Sequence, residues 1–156
     1  MDIYERLKEL NIQLPPAPPP GGMYTPAKIF GSNLVYTSGV GSTDASGEEP
    51  YLGKLGADLT VEQGQDAARL ATINLLSVLN AELGDLNRIK SIVKQLGFIA
   101  STPDFYQQPA VLNGSTKLLI QAFGDVVGRP ARSAIAVNVL PDNIPIEIEL
   151  LVELKD

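Results

Sequence analysis

The closing stretch of the chain constrains its fold more than any other. From Ile146 to Leu154 apolar and polar residues alternate: Ile146, Ile148, Leu150, Val152 and Leu154 fall on one side of an extended strand, and Glu147, Glu149, Leu151 and Glu153 on the other. A strand with one wholly apolar side needs a layer to cover it. Two upstream segments can supply that layer. Thr60 and Gln63 form a capping-box pattern, and Ala68, Ala71, Leu75, Leu79 and Leu83 recur at helical spacing up to Gly84. Pro109 to Phe123 places Val111, Leu118, Leu119 and Ala122 on a second helix ended by Gly124, with Gly114 weakening its middle.

The remaining segments complete a sheet. Tyr24 to Phe30 and Leu34 to Thr37 are short β-favouring runs about Gly31-Ser32-Asn33, a hairpin pattern. Ile89 to Ala100 reads as a third strand. Ser133 to Val139, joined through Leu140-Pro141-Asp142-Asn143 to the closing strand, is expected to make an antiparallel hairpin with it. The polar, glycine-bearing stretch 40–59 reads as loop folded over a rim. Strands, helix, strand, helix, hairpin: this order predicts an α+β fold, a mostly antiparallel sheet with two helices on one face. The other face carries three glutamates and Leu151 and must meet water or other subunits, a pattern that fits an oligomer better than a monomer.

Residues 1–22 read as an appendage to a domain spanning 23–156. Ile3, Leu7 and Leu10 share one face of a short amphipathic helix, too short to stand alone. The run Pro15-Pro16-Ala17-Pro18-Pro19-Pro20-Gly21-Gly22 lacks most backbone donors and favours extended geometry. It could be a ligand for a proline-recognition domain; the expectation is a surface connector.

What is missing excludes much chemistry. The chain has no cysteine and no histidine, so disulfides, thiolate or imidazole metal sites, cysteine nucleophiles and serine–histidine triads are ruled out. A net charge of −6 offers no broad positive field to phosphate backbones, which argues against nucleic acid as a partner. No apolar run is long enough to span a bilayer and Met1 to Leu10 mixes charged with apolar residues, so the expectation is a soluble, cytoplasmic protein without membrane contact. Carboxylates, Lys, Arg, Tyr, Ser, Thr, Asn and water remain, groups suited to fixing a small polar ligand.

Arg132 stands out among them. It opens a strand after the Gly128-Arg129-Pro130-Ala131 loop, where a guanidinium can grip a carboxylate through two parallel hydrogen bonds. Spacing alone favours an ion pair with Glu149 or Glu153 across the expected hairpin. Glu147 alternates with Ile146 and Ile148 and on that basis alone decorates a sheet face. Taken singly, Tyr24 reads as a packing aromatic, Asn113 as a partner of a neighbouring loop, and Ser38-Gly39 as a strand-ending turn.

Together these residues form a pattern. Arg132-Ser133-Ala134, Leu140-Pro141 and Ile146-Glu147-Ile148-Glu149 resemble the C-terminal motif of the Rid (YjgF-like) family, also called the endoribonuclease L-PSP family. Tyr24, the run Leu34-Val35-Tyr36-Thr37-Ser38-Gly39, the segment 53–60 with its helix, and Asn113 are similar to further family positions. The resemblance covers everything after the proline run; the N-terminal helix resembles that of a longer-chain branch. It implies a chorismate-mutase-like fold, a homotrimer, and an intersubunit pocket for small carboxylate metabolites. In that pocket Arg132 would anchor the carboxylate and Glu147 would position a water at an imine carbon, with Tyr24, Ser38, Gly39, Asn113 and Ala134 as lining. The implied reaction is hydrolysis of 2-imino or 2-enamino acids to 2-keto acids and ammonia, with no metal or cofactor. Ala134 stands where the deaminases usually carry a cysteine and Thr116 where an aromatic often follows the asparagine, so the resemblance implies an altered pocket. A non-catalytic acid-binding trimer and, more weakly, an endoribonuclease are the alternatives.

Overall fold

A computed structural model describes residues 2–155. The elements run α1 (Ile3–Glu9), β1 (Ala27–Phe30), β2 (Leu34–Thr37), α2 (Val61–Leu83), β3 (Ile89–Ala100), α3 (Gln108–Phe123), α4 (Asp125–Gly128), β4 (Ala131–Val137) and β5 (Ile146–Leu154). The strands form one mixed sheet in the order β1-β2-β5-β3-β4, in which only the β3–β4 pair is parallel.

The closing strand sits at the centre of this sheet, and its burial alternates residue by residue. Ile146, Ile148, Leu150 and Val152 are wholly enclosed, with α2 packed over the strand. Burying each such side chain is worth about 1.5–3 kcal/mol, so the alternation fixes the register of the strand: a one-residue slip would turn the glutamates into the core. Helix α2 starts at the capping box, where Gln63 N–H donates to Thr60 Oγ1 at 3.2 Å and Thr60 N–H to Gln63 Oε1 at 2.9 Å. It stops at Gly84, whose φ of 75° is left-handed. Gly114, costly within a helix on propensity alone, has a packing reason: a Cβ there would lie 2.1 Å from the backbone oxygen of Gln65, so α2 and α3 touch backbone to backbone.

The expected hairpin between 133–139 and the closing strand does not form. β4 pairs in parallel with β3, Ala131 to Val137 against Lys94 to Ala100, and β3 lies between β4 and β5. The cause is the route of the chain. α3 and α4 form a crossover that returns the chain in the direction of β3, and a crossover of this kind yields a parallel neighbour. The stretch 138–145 then passes the end of β3 to reach β5, turning at Asp142 and Asn143, which hold positive φ of 55° and 59°. The strand also ends at Val137, two residues short of the expected Val139, and β1 begins at Ala27, leaving Tyr24 outside it.

α1 docks on the helical layer. Ile3 and Leu7 are buried, the Tyr4 hydroxyl donates to Asn80 Oδ1 at 2.6 Å, and Asn87 Oδ1 accepts from Ile3 N–H at 3.0 Å. Asp2 caps the helix by accepting from the Tyr4 and Glu5 amides. The uncovered sheet face is amphipathic: Phe30, Tyr36 and Ile135 are exposed on it, Tyr36 donates to Glu149 at 2.7 Å, and Lys90 pairs with Glu153 at 2.9 Å. Among the described residues no helix is long and apolar enough to cross a membrane.

Candidate functional site

The residues singled out by sequence separate into two groups. Tyr24, Ser38, Gly39 and Glu147 line a cleft of about 440 Å³. Arg132 and Asn113 are hydrogen-bonded together elsewhere, on the side of the sheet that faces α3, and Ala134 lies two residues along the same side of β4.

The cleft opens where β2 leaves the sheet. Ser38 ends the strand; its amide donates to Pro26 O at 2.8 Å and its hydroxyl to Thr25 O at 2.6 Å. Val40 then rejoins β5 through a bridge to Ile148. A Cβ on Gly39 between them would lie 1.9 Å from Glu147 Oε1, so any side chain there would displace the Glu147 carboxyl from this position. The Glu147 carboxyl therefore lies directly over the Gly39 backbone. Burial, and then the charge of Glu149, push that carboxyl above the ordinary glutamate range. Tyr24 is half exposed at the mouth, and its hydroxyl accepts from Gly21 N–H at 2.9 Å.

That hydrogen bond ties down the proline run, and here the structure adds what sequence reasoning missed. Pro18 to Gly21 form a wall of the cleft rather than only a surface connector, and Thr43, Glu49, Asp142 and Ile144 are among the other lining residues. Glu49 accepts from the Thr43 hydroxyl through Oε1. Among the described residues the charged side chains lining the cleft, Glu49, Asp142 and Glu147, are all acidic. Nothing in a proline-rich run or an irregular loop signals this wall; only the Gly21–Tyr24 bond and the fold bring it there.

The second group is built on β4 and α3. Arg132 Nη1 donates to Asn113 Oδ1 at 2.8 Å and to Thr116 Oγ1 at 3.1 Å, and Nη2 reaches Pro109 O at 3.4 Å. The alternative of an ion pair with Glu149 or Glu153 is not what forms; Glu153 pairs with Lys90 and Glu149 accepts from Tyr36. Both hydrogens of Nη1 are spent on α3. The Nε–H has no partner in these bonds and Nη2 has only the long contact to Pro109 O; these two nitrogens form the edge that a carboxylate grips side-on.

The strand register sets the relation of the two groups. Arg132 lies opposite Gln95, which lies opposite Leu150; Glu147 lies opposite Phe98. Gln95 and Phe98 differ by an odd number of residues in an unbroken ladder, so Arg132 and Glu147 project from opposite faces of the sheet. One chain does not bring them together. Among the described residues no cluster of three or more acidic side chains is arranged to hold a metal ion.

The comparisons with known proteins agree with this architecture. A family model described as "YjgF/chorismate mutase-like, putative endoribonuclease" matches residues 5–154. Protein TCP17 of Trypanosoma cruzi is 39% identical over 154 residues, which span 99% of this chain and 95% of that one. Protein Atu1372 of Agrobacterium tumefaciens superposes with a TM-score of 0.87 at 39% identity, covering 97% of this chain and 91% of that one. TdcF of Escherichia coli, solved with bound serine, superposes with a TM-score of 0.62 at 26% identity, covering 92% and 96%. With this sheet, these helices and a match over nearly its whole length, the chain belongs to the YjgF/endoribonuclease L-PSP family.

Proposed function

We propose that the protein is a homotrimer that binds small 2-keto and 2-imino acids between subunits and hydrolyses 2-imino or 2-enamino acids to 2-keto acids and ammonia. The observation that carries this reading is the Arg132 guanidinium, held by α3 through Nη1 with its Nε–H outside those bonds. The Glu147 cleft complements it: its charged lining is acidic and suits the cationic nitrogen of an iminium, while the carboxylate of the same ligand requires a guanidinium from outside the cleft. Because the two groups lie on opposite faces of one sheet, Arg132 of one protomer and Glu147 of its partner make the complete site. The amino acid bound by the related TdcF has the same pairing of carboxylate and cationic nitrogen.

In this site water adds to the imine carbon, forming the C–O bond. Glu147, whose carboxyl binds its proton more tightly than an ordinary glutamate, takes the proton from the water and passes it to nitrogen. Glu147 then takes the remaining hydroxyl proton of the tetrahedral adduct and delivers it to nitrogen, so that the C=O bond forms as the C–N bond breaks, releasing the keto acid and ammonia. An imine is already electrophilic, so aligning it with one water provides much of the catalysis. Gly39 keeps the Glu147 carboxyl close to the backbone, and Ala134, beside Arg132, replaces a bulkier lining with a methyl group and shifts substrate preference. The acidic cleft disfavours a phosphodiester and with it the endoribonuclease reading.

Subunit mixing tests the proposal. Arg132→Ala and Glu147→Gln are each expected to abolish acceleration of keto-acid release from an amino-acid oxidase that generates 2-imino acids. Trimers reassembled from an equal mixture of the two should regain about a quarter of wild-type activity, since in a closed ring that fraction of interfaces unites an intact Arg132 with an intact Glu147. A single-chain site predicts no recovery, and that result would overturn the composite site.

A further inference from the structure

A buried chain of hydrogen bonds starts at Arg132 and runs into the core, through residues to which the proposed function gives no role. Thr116 Oγ1 accepts from Arg132 Nη1 at 3.1 Å and donates to Gln95 Oε1 at 2.7 Å. Gln95 Nε2 donates to Ser115 Oγ, which bonds Thr72 Oγ1, and Thr72 donates to Ala68 O at 2.8 Å. Gln95, Ser115 and Thr72 are completely enclosed. Each hydroxyl has a single proton, and that fixes the direction of the chain. Thr72 spends its proton on Ala68, so Ser115 must donate to Thr72, and Gln95 supplies the donor Ser115 accepts; the Thr116 proton has two acceptors, Leu112 O at 3.3 Å and the nearer Gln95 Oε1 at 2.7 Å, and its lone pairs are left for Arg132.

We infer that Gln95, acting through the Thr116 hydroxyl, is a positioning residue that sets the rotamer of Arg132 and so the direction of its Nε–Nη2 edge. Gln95 occupies a core-facing position of β3 between Ile92 and Ile99, where an apolar residue would avoid the cost of burying an amide. Thr116 and Ser115 give both its oxygen and its nitrogen a partner, which offsets the cost of burial and stiffens the chain. Removing the Thr116 acceptor leaves Arg132 held by Asn113, an exposed residue, and by the longer contact to Pro109. The opposite result, a guanidinium that stays aimed without Thr116, would mean that Asn113 alone fixes it.

This inference rests on Arg132 as the carboxylate anchor, and its test separates the two. Thr116→Val keeps the side-chain shape and deletes the hydroxyl; Thr116→Ser restores it; Gln95→Met keeps the volume and cuts the chain without touching Arg132. Titration with 2-oxobutanoate should show about fivefold to tenfold weaker binding for Thr116→Val and Gln95→Met, the scale of losing one ordinary hydrogen bond, and wild-type affinity for Thr116→Ser. Nitrogen-15 relaxation of the Arg132 Nε–H, measured without ligand, should show increased side-chain motion in the two damaging variants only. Melting temperatures identify any variant that loses its fold, and Thr116→Val then decides alone, because Thr116 lies at the edge of the core. Unchanged Arg132 motion and affinity in a folded Thr116→Val or Gln95→Met protein overturns the positioning role. Equal affinity of wild type and Arg132→Ala for 2-oxobutanoate overturns the anchor instead, and the relaxation measurement still decides whether Gln95 orders the guanidinium.

Discussion

Gly114→Ala sets two effects against each other, and the structure decides between them. By helix propensity alone the substitution stabilises α3 by about 1 kcal/mol. The new Cβ, however, would lie 2.1 Å from Gln65 O, 2.7 Å from its carbonyl carbon and 2.8 Å from its Cα. These are backbone atoms in the first turns of α2, and no side-chain rotation relieves them. The helices must separate by about 1 Å, a gap that forfeits a quarter to a half of the dispersion energy along the contact. The Gln65 Nε2 bond to Ala110 O, 2.9 Å long, is stretched by the same movement. Overpacking of this kind costs typically about 1–3 kcal/mol or more, and a weakened hydrogen bond adds about 1 kcal/mol. After the propensity gain the net effect is a loss of about 1–3 kcal/mol, or a melting temperature lower by about 3–10 °C for a chain of this size. Urea unfolding at one fixed protein concentration, with midpoint and slope compared, measures it. A higher midpoint for Gly114→Ala would refute the backbone-contact argument and leave propensity as the whole explanation.

The other expectations follow from single contacts. Thr60→Ala removes the capping box of α2 and should cost about 1 kcal/mol by urea unfolding, with Thr60→Ser close to wild type. Arg132→Lys should weaken 2-oxobutanoate binding at least about tenfold by calorimetry while leaving the melting temperature near wild type, since an ammonium cannot reproduce a side-on pair of hydrogen bonds. Glu147 has a folded-state affinity for its proton above that of the unfolded chain, so the stability it contributes is complete below the unfolded-chain value and is lost as pH rises through the folded one. Unfolding measured from about pH 4 upward, starting near the ordinary glutamate value, should therefore show a fall in wild type that Glu147→Gln lacks; parallel curves would contradict the burial of that carboxyl.

Local chemistry made much of the fold legible. The capping box, the terminal Gly84, the span Ile89–Ala100 and the alternation of β5 all stand in the structure as the residues imply, because each depends on neighbours close in sequence. The partner of β4 was not legible. Whether β4 lies beside β5 or beside β3 depends on where α3 and α4 deliver the chain, and the residues of β4 are compatible with both. The candidate site divides in the same way. Arg132 with Asn113 and Glu147 with Gly39 are real neighbours, yet the proline wall, Glu49 and the Gln95 chain depend on tertiary placement. One sign of the last was present: Gln95 is a polar residue at an inward position of a strand whose other inward residues are apolar or glycine, and such a residue must find partners.

The division of the candidate site between two faces also bears on assembly. In a twofold dimer a surface meets its own copy, so Arg132 could meet a partner's Glu147 only if both belonged to one continuous patch. The β3 register sends them to opposite faces of the sheet. On the proposed reading, the contact that completes the site therefore joins unlike surfaces: the outer sheet face and cleft of one protomer, and the β4–α3 edge of its partner. A contact between unlike surfaces propagates until the rotation closes it, and the smallest ring it closes efficiently has three members. The same contact would cover the half-exposed Phe30, Tyr36 and Ile135 and shield the β4 edge, whose unpaired backbone groups otherwise invite further strand addition. The mixed character of the outer face then follows from its task. Glu149 accepts from Tyr36 and Glu153 pairs with Lys90; on the proposed reading Leu151 and the aromatics would supply burial, and Glu147, which lines the cleft, would meet the ligand.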